Sequence, residues 1–157
     1  IACKNTNMEP SETPDLLRLE QQLCFPIYAA SNAIVRAYRP LLEPLGLTYP
    51  QYLTMMVLWE SAPLTVGDIG AKLYLDSGTL TPLLKRLEAQ GLVLRQRDAT
   101  DERRVVVDLT PAGRELQEQA QAVPEALACR LLCSRLDLAK LRQDIKDLLV
   151  FLQSQDT

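Results

Sequence analysis

Residues Leu64–Gly113 read LTVGDIGAKLYLDSGTLTPLLKRLEAQGLVLRQRDATDERRVVVDLTPAG. The pattern is two short helices followed by a charged two-stranded ribbon. Thr65 opens the first helix, with Asp68 three residues on as its capping-box partner, and Val66, Ile69 and Leu73 recur at helical spacing. Asp76-Ser77-Gly78 breaks that pattern, and Asp76 or Ser77 can accept the orphan amide hydrogens of a second helix. Leu80, Leu83, Leu84 and Leu87 form the apolar stripe of that helix, and Gly91 is placed to end it. Two helices joined by a tight polar turn make a helix-turn-helix, whose second helix fits a DNA major groove.

Leu92–Leu94 and Val105–Val107 are short apolar runs on either side of RQRDATDERR, Arg95–Arg104. This predicts a β-hairpin with a long solvated tip, a wing. Ser77, Thr79, Thr81 and Lys85 are the candidates for the groove. Arg86 and the wing arginines Arg95, Arg97, Arg103 and Arg104 are the candidates for the phosphate backbone or a narrow minor groove. Asp101 is placed to orient a tip arginine through a short ion pair. The plainer alternative is that hairpin and ribbon only fill out a small α/β domain.

Charge follows the same division. The net charge is −3. Lys72–Arg114 holds 8 basic and 6 acidic residues, however, and the rest of the chain 9 and 14. A slight excess of positive charge on the reading head predicts site-selective binding to double-stranded DNA with little indiscriminate affinity. No apolar run approaches the ~20 residues that cross a bilayer, and no signal peptide is visible, so no membrane partner and a cytoplasmic location are expected. The expected fold is mainly α with a small β-wing. Its parts are a tail over 1–14, helical dimerisation regions over 15–48 and 110–157, and a winged helix-turn-helix over 49–109. Met8 is a candidate start, which would make residues 1–7 an expression remnant.

The flanking segments read as amphipathic helices. Leu16, Leu17, Leu19 and Leu23 suggest a short one. Pro26 suits the first position of a longer one running to about Leu45, with Pro40 inside it. Cys24 then stands just before a helix N-terminus, where the partial positive charge favours the reactive thiolate; the ordinary alternative is a small buried side chain. Thr48-Tyr49-Pro50-Gln51 is a compact helix start, and Leu53, Met56, Val57 and Trp59 are expected in the core. After the wing, Thr110-Pro111 starts a helix through Val123, Pro124 interrupts it, and Asp137 caps a last helix. Leu138, Leu141, Ile145, Leu148, Leu149 and Leu152 lie on one face of that helix. That apolar surface exceeds what a small wing domain can cover, which predicts a homodimer with two recognition helices one DNA turn apart.

The chain has 4 cysteines and no histidine. The absence of histidine excludes mixed Cys/His zinc sites, and Cys24, Cys129 and Cys133 lack paired CxxC spacing, so no metal and no cofactor are expected. Redox chemistry or inert packing remains. Cys24 is the better-activated thiol, and Cys129 or Cys133, one turn apart, is available to resolve its sulfenic acid.

The segments LGLTYPQYLTMMVLWE (Leu45–Glu60), LYLDSGTLTPLLKRLEAQGLV (Leu73–Val93) and DERRVVVDLTPAGREL (Asp101–Leu116) resemble the MarR family of dimeric winged-helix regulators. With the Cys24 segment they resemble, more narrowly, organic hydroperoxide resistance regulators of the two-cysteine subclass; the resemblance covers about residues 16–155. It implies a reduced dimer that represses a peroxidase gene. An organic hydroperoxide would oxidise Cys24, and a C-terminal cysteine of the other subunit would pair with it, Cys129 by position and Cys133 as runner-up. It also implies tyrosine hydroxyls holding the thiolate, Tyr38 and Tyr49 by match, with Tyr28 one turn beyond Cys24. Tyr52 and Tyr74 are read as ordinary packing. Two other readings stay open: a thiol peroxidase, although no arginine stands beside Cys24, and a regulator that releases DNA on binding a small aromatic ligand.

Overall fold

The computed structural model describes residues 17–98, 101, 103–132 and 137–155, with the side chains of 130–132 set aside. The expected tail over 1–14 and Cys133 lie outside the described residues. Internal packing divides the chain into a short unit, 1–37, and a larger one, 38–157.

In the short unit, Leu19–Gln21 forms a single 3-10 turn where a short amphipathic helix was expected. Leu17, Leu19 and Leu23 are all exposed there, so no apolar partner rewards helix formation. The long helix α1 spans Cys24–Leu42. It begins two residues earlier than Pro26 suggests. Proline is tolerated anywhere in the first turn, because the amide it lacks has no partner there. Cys24 is therefore the first residue of α1, and it is exposed.

In the larger unit, α1 ends at Leu42 and a 3-10 turn over Glu43–Leu45 closes on Gly46, whose φ of 66° suits glycine. Helix α2, Tyr49–Ser61, starts as expected: the Thr48 amide and hydroxyl both donate to Gln51 Oε1 at 2.9 Å. Its buried apolar residues are Tyr52, Met55, Val57 and Leu58, while Met56 is 43% exposed. Two adjacent methionines point about 100° apart on a helix, and packing selects Met55.

A short strand β1, Leu64–Thr65, leads into α3, Val66–Leu73, and α4 spans Ser77–Ala89. Strands β2, Val93–Arg97, and β3, Val105–Leu109, form the wing. The sheet is antiparallel with order β1-β3-β2. Strand β1 was not anticipated, because two residues carry no readable alternation. The ladder also runs further than expected, from Val93 opposite Leu109 to Arg97 opposite Val105. Arg95–Arg97 thus belong to the strand rather than to the tip.

Helices α5, Pro111–Ala120, and α6, Ala122–Leu132, follow; the interruption expected at Pro124 falls instead at Gln121, and Pro124 sits in the first turn of α6, where its missing amide costs no helix bond. Asp137 caps α7, Leu138–Ser154, accepting from the amides of Ala139 and Lys140. The core joins Leu42, Met55, Leu58, Ile69, Leu80, Leu84, Leu87, Val93 and Val107, all within 1% of full burial. The apolar stripes of α3 and α4 thus meet the inner face of the sheet. No residue of α7 is buried.

Candidate functional site

Helix α4 is held at its start by Asp76, whose Oδ1 accepts from the Thr79 amide at 2.8 Å and whose Oδ2 accepts from the Thr79 hydroxyl at 2.8 Å. These bonds hold the Asp76 carboxyl below the ordinary aspartate range, first through the Thr79 side chain and then through its backbone. In α3 the roles are exchanged: Thr65 is the cap, its Oγ1 accepting the Asp68 amide at 3.1 Å, and Asp68 Oδ2 accepts back from the Thr65 hydroxyl at 2.6 Å. Its carboxyl is likewise lowered by the Thr65 side chain, then the Thr65 backbone, with a smaller contribution from the charge of Arg104. Both reading-head helices are thus capped by a local hydroxyl–carboxylate pair.

Leu80, Leu84 and Leu87 bury one side of α4 completely. Helical geometry places Ser77, Thr81 and Lys85 in one row along one flank of that leucine stripe, and Thr79 and Arg86 on its other flank. Ser77, Thr79, Lys85 and Arg86 are exposed and Thr81 is half-buried. The Thr79 hydroxyl hydrogen is committed to Asp76, which leaves its methyl group and its oxygen to face outward. At the turn before α4, Tyr74 takes a φ of 56° and is 58% exposed, where ordinary packing was expected.

The wing arginines divide. Arg103 is 93% exposed at its side chain; its Nε lies 3.3 Å from Asp101 Oδ1, which also accepts the Arg103 amide at 3.1 Å. Arg104 and Arg97 are exposed. The Arg104 amide donates to the Asp101 carbonyl, and the Arg104 carbonyl accepts from the Asp98 amide, both at 2.9 Å. Arg95 differs: its side chain is 17% exposed and pairs with Glu88 of α4, a partner that sequence reading had not singled out. The cause is strand parity, which gives Arg95 the inward face of Val93.

Tyr38 and Tyr49 come together, with ring centroids 4.8 Å apart, and Tyr52 joins them at 5.8 Å from Tyr38. Burial raises the hydroxyl pKa of all three, with the neighbouring phenols adding to the effect on Tyr38 and Tyr52. They therefore remain neutral hydrogen-bond donors at physiological pH. Tyr52 is packing, as its sequence position suggests, being buried, and it also completes the phenol cluster; its spacing of three from Tyr49 on one helix is the sequence signal for that second role. Tyr52 in turn meets Trp59 at 6.2 Å, and Trp59 Nε1 donates to the Gly113 carbonyl at 2.8 Å. Tyr28 is exposed on α1. Cys129 is exposed on α6. Among the described residues no group of three or more potential ligands could hold a metal, and no helix is long and apolar enough to cross a membrane.

Residues 47–105 match the MarR family model. The chain is 46% identical over 142 residues to the organic hydroperoxide resistance transcriptional regulator of Bacillus subtilis, covering 90% of this chain and 97% of that protein. Among solved structures, reduced AbfR bound to DNA is 37% identical over 88% of this chain and 95% of that one, with a TM-score of 0.73. Disulfide-formed AbfR is 41% identical over 83% of this chain and 92% of that one, with a TM-score of 0.60; AbfR is a Staphylococcus epidermidis protein. Identity of that extent, on a winged helix-turn-helix with the capped α3–α4 pair and the β-wing described above, makes this chain a member of the MarR family.

Proposed function

We propose that the chain is a redox-sensing transcriptional repressor that acts as a homodimer. In the reduced state, α4 of each subunit enters the major groove of palindromic operator DNA, with Ser77, Thr79, Thr81 and Lys85 toward the bases. Arg86, Arg97, Arg103 and Arg104 reach the backbone or the minor groove, and Asp101 steadies the wing tip through Arg103. The reading head is residues 49–109; residues 15–48 and 110–157 carry the dimer contacts.

An organic hydroperoxide is the proposed inducer. The Cys24 thiolate attacks the terminal peroxide oxygen, the O–O bond breaks, and the alkoxide leaves and takes a proton to become an alcohol. Cys24 is then a sulfenic acid, two electrons poorer. The thiol of Cys129 of the partner subunit attacks that sulfur, water leaves, and an intersubunit disulfide forms; Cys133 is the alternative resolving thiol. Tyr38 and Tyr49, with Tyr28, are proposed as hydroxyl donors to the thiolate. Closing the disulfide moves the helices that carry the two cysteines, and the two reading heads lose their operator spacing.

The observation that carries this reading is a 142-residue match to a hydroperoxide resistance regulator. A match of that length in a 157-residue chain necessarily includes Cys24, the reading head and Cys129. The exposed position of Cys24 in the first turn of α1 is consistent with it. The relative AbfR has been solved both reduced on DNA and disulfide-formed, which supports a redox reading.

The test is operator binding before and after one equivalent of cumene hydroperoxide. Cys24→Ser is expected to bind like wild type and to stay bound after treatment. Release of that variant by hydroperoxide would remove Cys24 as the sensor. On a non-reducing gel, a covalent dimer lost with Cys129→Ser and kept with Cys133→Ser identifies the resolving thiol. Steady consumption of hydroperoxide under a thiol reductant, in place of about one equivalent, would make the protein a thiol peroxidase instead.

A further inference from the structure

One wing arginine is built unlike the others. Side chains along β2 alternate between the two faces of the sheet. Leu94 and Gln96 take the outer face, where they line a shallow open cleft with Pro63, Val106 and Asp108. Val93 is buried on the inner face with Val107 of β3. Arg95 has the parity of Val93 and lies opposite Val107 in the ladder. Its Nη1 is 3.3 Å from Glu88 Oε2, and its Nε is buried with no hydrogen-bond partner. An unpaired buried donor is unfavourable for stability. A guanidinium already matched by a carboxylate and 17% exposed is a poor phosphate ligand. Direct phosphate contact does not account for Arg95, and the orphaned Nε shows that the site is not optimised for stability alone.

The location of Arg95 does account for it. Glu88 is in the last turn of α4 and Arg95 is the third residue of β2, so the pair spans the corner between the recognition helix and the wing. The root of that corner is fixed from α5. The Thr110 hydroxyl donates to the Gly91 carbonyl at 2.7 Å, and the Thr110 amide donates to the Leu92 carbonyl at 3.1 Å. Those bonds set where β2 begins. The Glu88–Arg95 pair acts further out, where a small rotation of β2 is magnified at the wing tip.

We infer that Arg95 is a positioning residue: through Glu88 it sets the angle between the recognition helix and the wing, and it does not itself touch DNA. This rests on the proposed reading of DNA by α4 and the wing.

The test uses full-length reduced protein and a palindromic duplex recovered by in vitro selection on the wild type. Removing an acidic charge near DNA strengthens binding on electrostatic grounds alone. The brace gives the opposite sign: Glu88→Gln, at a side chain 40% exposed, weakens operator binding about tenfold. Arg95→Gln weakens it to a similar degree with the wild-type salt slope, whereas Arg97→Gln lowers that slope by about one per subunit. The double variant is no weaker than the weaker single variant, and Arg95→Lys, which keeps a charge for Glu88, recovers part of the loss. Glu88→Gln binding as tightly as wild type or tighter overturns the inference. So does a slope lowered by Arg95→Gln, which would put that arginine on a phosphate. If selection on the wild type enriches no duplex, the DNA reading fails and the brace falls with it. If the wild type binds and only the Glu88 and Arg95 outcomes fail, the DNA reading stands without the brace.

Discussion

Single side chains decide how firmly the reading head is held. Asp76 is the clearest case, because one carboxylate takes both the amide and the hydroxyl of Thr79 at the start of α4. Those bonds favour the ionised form and hold its pKa below the unfolded value. Asp76 therefore contributes stability above the unfolded pKa, and that contribution is lost as the pH falls through the folded pKa. Asp76→Ala is expected to lower the thermal midpoint by a few degrees near neutral pH and to make the difference from wild type shrink in acid. A pH series of thermal unfolding curves checks both; a difference independent of pH would show that the carboxylate is not the stabilising group. At the same scale, the hydroxyl of Thr79 shows what a residue list conceals. It was assigned to the groove, yet its one hydrogen is already given to the cap.

Elements meet most tightly where α5 packs against the α4–β2 corner. Gly113 lies in the first turn of α5, and a methyl group there would stand 2.0 Å from the Leu92 carbonyl oxygen. Glycine in a helix ordinarily costs about 1 kcal/mol relative to alanine, so Gly113→Ala should help on propensity alone. The Leu92 backbone reverses the sign, because the atom in the way is main chain with its own ladder to keep. Gly113→Ala is expected to destabilise by about 1–3 kcal/mol, read from urea unfolding. A stability gain would mean that α5 shifts freely against the wing root. The wing makes a separate prediction. Arg103→Gln and Arg104→Gln are each expected to lower the salt slope of operator binding by about one per subunit. Binding with an unchanged slope would take the tip off the phosphate backbone.

For the whole molecule, the most telling surface is the one left uncovered. Leu141, Ile145 and Leu152 recur on one side of α7 and are exposed, as are Val150 and Phe151. On α1, Phe25, Ile27, Ile34 and Val35 are exposed as well. An amphipathic helix with no buried residue has its apolar side against something else, and a second copy is the proposed cover. Ile145→Glu with Leu141→Glu is expected to shift the protein from dimer to monomer in sedimentation velocity and to abolish operator binding with it. A dimer that survives both charges would put the interface elsewhere.

The sequence by itself determined the order of the main helices and most of their caps. Thr48–Gln51, Thr65–Asp68, Asp76–Thr79 and Thr110–Gly113 are contacts three residues apart. A contact that short needs no knowledge of the rest of the chain. The leucine stripe of α4 was legible for the same reason, since four apolar residues at helical spacing define a buried face whatever they pack on. Only the tertiary structure decided which residues of a strand or a uniformly apolar helix face inward. Strand length and parity depend on the partner strand, so Arg95 passed for a solvated tip residue until β3 gave it an inner face and α4 gave it Glu88. Met56 is the core methionine by spacing alone, yet the core takes Met55 and leaves Met56 exposed. The phenol cluster formed because Tyr38 of α1 meets Tyr49 and Tyr52 of α2 across the loop that Gly46 turns. Such proximity is set by packing between elements, and no spacing within either element records it.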